Sequence, residues 1–116
     1  MTKTGSPASV VPRSDRPNVV PLKGEIDLHV SPDITRSLEA MADKRPERIV
    51  IDLSRATYID SAGLAALIIA MKKVEAYGGK FFLAGLQKTV RSVLESSRLD
   101  QIFQIFPDVD AALAAS

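Results

Sequence analysis

Two short runs, Arg48-Ile-Val-Ile-Asp-Leu53 and Lys80-Phe-Phe-Leu-Ala84, are almost continuously apolar, and they constrain the fold more than any other feature of the chain. A strand with one face in water alternates apolar and polar residues. A strand covered on both faces does not, and such strands belong to sheets whose parallel members are joined by helices. Between the two runs, Leu64, Leu67, Ile68, Met71 and Val74 fall at offsets 0, 3, 4, 7 and 10, the spacing of one helix face. The pattern predicts a strand, a helix from Asp60-Ser61 to Gly78-Gly79, and a second strand: one right-handed unit of parallel sheet.

The flanking segments extend that alternation. Asn18-Val-Val-Pro-Leu22 reads as a strand, with Ser9-Val-Val11 as a shorter partner at an antiparallel edge, although Pro12 and Pro21 each remove a ladder donor. Lys23-Gly-Glu-Ile-Asp27 then leaves the strand, with Gly24 supplying a turn. Ser31-Pro-Asp33 offers a cap and a proline at the first helical position, ahead of a helix over about 32–43 that buries Ile34, Leu38, Met41 and Ala42. A third helix over about 87–97 turns Val90, Val93 and Leu94 inward. Ile102–Phe106 is a short strand, and Pro107-Asp108 starts an Ala-rich terminal helix. The fold class is α/β: one domain over 9–116, a mixed, mostly parallel sheet of four or five strands packed by about four helices. Residues 1–8, rich in Thr, Ser, Gly and Pro, read as a disordered leader.

Composition narrows the function classes. The 116 residues hold no Cys and one His, which excludes thiolate metal sites and a cysteine nucleophile and argues against a multi-His metal site or a Ser-His-Asp hydrolase. No metal or cofactor is expected. Through Lys23 there are four basic residues and one acidic; the rest carries eleven against thirteen, so the body is slightly acidic. That is not the footprint of a nucleic-acid-binding domain. The longest apolar run, Ala62 to Met71, is ten residues, about half of the ~20 that span a bilayer. The expectation is a soluble, cytoplasmic protein that binds partners, is not an enzyme and does not insert in a membrane.

The candidate site is Ile59-Asp-Ser-Ala-Gly-Leu64, where a buried strand leads through a short loop to a serine at a helix N-terminus. Unpaired N–H groups and the helix dipole favour an oxyanion there, and Ala62 and Gly63 leave the backbone beside Ser61 sterically open. Asp60 and Ser61 are equally the residue types that cap helices. A nucleophilic serine would need a base, and Asp60 is adjacent in sequence and aimed elsewhere, while His29 is the only histidine.

Ile59–Leu64, preceded by Val50-Ile-Asp-Leu-Ser54 and Gly24-Glu-Ile-Asp27, resembles a STAS domain of the anti-sigma factor antagonist type. Gly78–Gly85, Val90–Leu94 and Leu99–Phe103 are similar to the rest of that pattern in the same order, over about 18–115. The resemblance implies a STAS-like fold and partner switching. The unphosphorylated antagonist binds an anti-sigma factor that is also a serine kinase, freeing a sigma factor. Phosphorylation of the serine in Asp-Ser-x-Gly, here Ser61, ends that binding, and a metal-dependent serine phosphatase restores it. Asp27, Asp60, Ser61, Ala62, Gly63 and Leu64 are thereby expected at the partner surface, with Gly24 in the structural turn and Asp27 near the serine. Ser54 resembles a family serine or threonine near the switch and is given no role, nor is His29.

A phosphate adds about −1.5 to −2 charges, which a helix N-terminus tolerates but acidic partner groups do not. Such a switch alters binding more than folding. Two alternatives of other classes remain beside the antagonist: a STAS subunit of a phospholipid transport system or stress-signalling scaffold, and a small-molecule enzyme using Ser61. A monomer or weak dimer is expected.

Overall fold

Five strands, β1 (Ser9–Val10), β2 (Val19–Ile26), β3 (Arg48–Ile59), β4 (Lys80–Ala84) and β5 (Gln104–Phe106), lie side by side in that order in a computed structural model that describes residues 9, 10 and 16–115. β1 pairs antiparallel with β2, and β2 to β5 are parallel throughout. The crossovers are α1 (Ser31–Asp43), α2 (Ser61–Ala76) and α3 (Lys88–Ser96), and α4 (Val109–Ala114) closes the chain. The fold is thus the α/β arrangement read from the sequence. The leader at 1–8, together with Val11 and Pro12, lies outside the described residues.

Because the strands follow in sequence order without reversal, right-handed crossovers all land on the same face of the sheet. The main core sits there: Leu22, Ile26, Ile49, Ile51, Leu53 and Leu83 of the sheet meet Ile34, Leu38, Leu67, Val74, Val90 and Leu94 of the three helices. The opposite face carries a smaller core in which Val19, Val50, Phe82 and Ala84 pack on Ala112 of α4. Both apolar runs are covered on both sides, as their lack of alternation requires: Ile49, Val50 and Ile51 are fully buried. Arg48 ties α4 down, its Nη1 donating to the Leu113 carbonyl at 2.8 Å and to the Ala112 carbonyl at 3.3 Å.

The strands leading to the site are longer than their sequence suggests. β2 does not end at Leu22 but continues through Gly24 to Ile26, and β3 runs twelve residues to Ile59 with no intervening loop. Two irregularities account for both. Pro21 faces Asp52 but Lys23 faces Arg55, and Gly24 faces Ala56 but Glu25 faces Tyr58, so β3 carries one extra residue at each place. In place of the expected turn, Gly24 is a position within β2 that faces a bulge of β3, and it takes the φ of +81° that suits glycine. Along β3 the extra residues turn Ser54-Arg55 and Thr57-Tyr58 outward while Leu53, Ala56 and Ile59 stay buried.

β4 pairs with β3 only as far as Asp52. Beyond it, Gln87 Nε2 donates to the Ser54 carbonyl and Thr89 Oγ1 to the Thr57 carbonyl, both at 2.8 Å, so the start of α3 satisfies that edge. Ser31 is not the cap of α1 but its first residue; Val30 holds the cap position without a side-chain bond. The last strand begins at Gln104, after a 3₁₀ turn at Leu99–Gln101 that leaves Ile102 exposed.

Candidate functional site

β2 and β3 end together, Ile26 beside Ile59, and the Asp60 N–H donates to the Ile26 carbonyl at 3.1 Å. Two segments consequently meet at the C-terminal edge of the sheet: the loop 27–30 that enters α1, and the first turn of α2. Gly63 allows that meeting. A Cβ on Gly63 would lie 2.5 Å from the Ile26 carbonyl oxygen and 2.8 Å from Ile59 Cγ1, so no larger residue fits without movement.

Asp60 is extended, at φ −110° and ψ −174°, and its Oδ1 accepts the Gly63 N–H at 3.0 Å. The capping role that the sequence left open between Asp60 and Ser61 thus belongs to Asp60. Its second oxygen, Oδ2, accepts the Leu28 N–H at 3.3 Å and so ties the loop to the helix. Asp27 completes the loop: its Oδ1 accepts the His29 N–H at 3.0 Å, and its carbonyl accepts the N–H groups of Val30 and Ser31 at 3.1 and 2.9 Å. His29 Nδ1 lies 3.8 Å from the same carboxylate.

Ser61 is the first residue of α2 and is exposed. Relieved of capping, its hydroxyl hydrogen-bonds to none of the described residues. Asp27, Asp60, Ser61 and Ala62 are each at least partly exposed around this point, whereas Gly63 and Leu64 are buried and shape the surface from beneath. Gly24 lies within β2, two residues before the strand's end, and supports the approach to the site without belonging to it.

One residue at this site escaped the sequence reading. Leu28 stands between Asp27 and His29 with 68% of its surface exposed. Its only signal is negative: an apolar residue on neither a helix period nor a strand alternation.

The chemistry open to the site follows from this geometry. An exposed hydroxyl at the positive end of a sixteen-residue helix can accept a phosphoryl group from another enzyme, and the carboxylate of Asp60, next to it in sequence, makes the surroundings acidic. No side chain among the described residues hydrogen-bonds Ser61 as a base would. Among them, too, no cluster of three or more His, Cys, Asp or Glu is placed to hold a metal, and no helix is long and apolar enough to cross a membrane.

Sheet, one-sided crossovers and serine-bearing helix start together define a small single-sheet α/β module. The STAS domain family model matches residues 8–112, and the chain belongs to that family. It is 34% identical over 94 residues, 81% of each chain, to BtrV of Bordetella bronchiseptica, a protein named as a candidate anti-sigma factor antagonist. It is 29% identical over 96 residues, 82% of each chain, to the anti-sigma F factor antagonist of Paenibacillus polymyxa. Among solved structures, an anti-sigma factor antagonist from Mycobacterium paratuberculosis superposes with a TM-score of 0.80 at 28% identity, covering 91% of both chains.

Proposed function

We propose that this chain is an anti-sigma factor antagonist switched by phosphorylation of Ser61. Unphosphorylated, it binds an anti-sigma factor that is also a serine kinase, and a sigma factor is released. Phosphorylation of Ser61 ends the contact, and a serine phosphatase restores it. The observation that carries this reading is the division of labour at the start of α2: Asp60 caps the helix, so the neighbouring Ser61 is exposed and spared for modification. The names of its relatives support the same role.

The switch works at the surface. A phosphate on the first residue of α2 meets the helix dipole favourably, so the domain stays folded. Asp60 and the loop carboxylate Asp27 already make the site acidic, and the bulk of the phosphate together with the cost of desolvating one or two further negative charges opposes a contact fitted to the bare hydroxyl. The test compares Ser61→Asp and Ser61→Ala with wild type for binding the kinase in the presence of ATP. Ser61→Asp should melt like wild type yet fail to bind, and Ser61→Ala should stay bound when wild type is released. Phosphate mapped to any other residue overturns the proposal.

A further inference from the structure

We infer that Leu28 is the apolar anchor by which the partner grips this surface, inserted into an apolar pocket with basic groups at its rim. The inference rests on the function proposed above and names the residue that carries the contact.

At 68% exposure Leu28 stands further out than the other exposed large apolar residues among those described, Ile102 at 54% and Tyr58 and Ile69 at 47%. Its position is fixed all the same. Asp60 Oδ2 holds its N–H at 3.3 Å, and Asp27 holds the N–H groups of the next three residues through its side chain and carbonyl. A leucine kept out in water by a preorganised backbone loses little conformational freedom on binding, so most of its burial appears as affinity. Asp27 and His29 flank it in the loop and Asp60 holds its N–H, so polar groups adjoin it, as in the centre-and-rim arrangement of residues that dominate protein contacts. The two rim carboxylates ask for cations on the opposing surface.

The same arrangement explains why a phosphate on Ser61 disrupts the contact. Asp60, the residue tethering Leu28, directly precedes Ser61, and the inferred contact therefore extends over the serine and takes it out of water. A hydroxyl survives that loss with one hydrogen bond; a dianion does not.

The experiment measures affinity, by titration calorimetry, between the full chain and each purified serine kinase domain encoded in the same genome. It uses wild type, Leu28→Ala, Leu28→Met and Ile102→Ala, the last at the opposite end of the parallel strands. Leu28→Ala should weaken binding roughly tenfold to hundredfold with its melting temperature unchanged, Leu28→Met should restore most of it, and Ile102→Ala should match wild type. If wild type binds and Leu28→Ala binds within about twofold of it, the anchor is refuted while the proposed function stands. Equal losses in Leu28→Ala and Ile102→Ala also refute the anchor. If no kinase domain binds wild type, the proposed function falls and the anchor with it.

Discussion

Substituting Gly63 by alanine sets two effects of opposite sign against each other at the base of the candidate site. In an open helix the change stabilises by about 1 kcal/mol. Here the added methyl lies 2.5 Å from the Ile26 carbonyl oxygen and under 3 Å from both Ile59 Cγ1 and Ile26 Cγ2. Ordinary contact needs about 3.5 Å, so the helix start must retreat by roughly 1 Å. The carbonyl cannot turn away without releasing the Asp60 N–H that it accepts at 3.1 Å. Overpacking of this kind costs about 1–3 kcal/mol, and disturbing the Asp60 cap adds about 1 kcal/mol. The net is a loss of about 2 kcal/mol, which for a domain of this size lowers the melting temperature by about 10 °C. Calorimetric melting of the two proteins at one pH measures it. A Gly63→Ala protein that melts at or above the wild-type temperature would refute the reasoning, because helix propensity would then have won and the close approach would not matter.

Two further predictions follow from the same contacts. Asp60→Ala removes both the helix cap and the acceptor for the Leu28 N–H, for a combined loss of about 2 kcal/mol in urea unfolding; a loss under about 0.5 kcal/mol would show that neither bond stabilises the fold. At the far end of α2, the Tyr77 hydroxyl donates to the Pro46 carbonyl at 2.8 Å, and burial raises its pKa above the ordinary 10.0 despite the opposing charge of Arg45. The neutral phenol is thus favoured in the folded chain, and the unfolded chain ionises first. The stability involved is complete below pH 10 and is lost as pH rises through the higher folded value. Tyr77→Phe should cost about 1 kcal/mol at neutral pH and decline less steeply in the alkaline range; parallel curves for the two proteins would remove Tyr77 from the account.

Legibility from sequence followed the regularity of the backbone. α2 and β4 were readable because Leu64 to Val74 keep a helical period and Lys80–Ala84 is an uninterrupted run ended on both sides by glycine. The second half of β3 was not. Its two extra residues replace a period of two by one of three, so Ser54-Arg55-Ala56-Thr57-Tyr58 has the composition of a loop while pairing as a strand. Gly24 misleads for the same reason, since a glycine signals a turn more often than a strand position facing a bulge. At the site, cap preference narrowed the N-terminus of α2 to Asp60 or Ser61, but choosing between them needed the Asp60–Gly63 distance. Leu28 has no periodic signature at all, because its backbone is held in a loop by the hydrogen bond its N–H donates to Asp60, 32 residues away along the chain.

The central claim is that one phosphate at Ser61 governs a protein contact without disturbing the fold. It is tested most directly by titrating the anti-sigma kinase domain with the chain in two forms, unmodified and fully phosphorylated at Ser61. The account predicts that both forms melt cooperatively as folded domains and that only the unmodified form binds. Equal affinity of the two forms would contradict it.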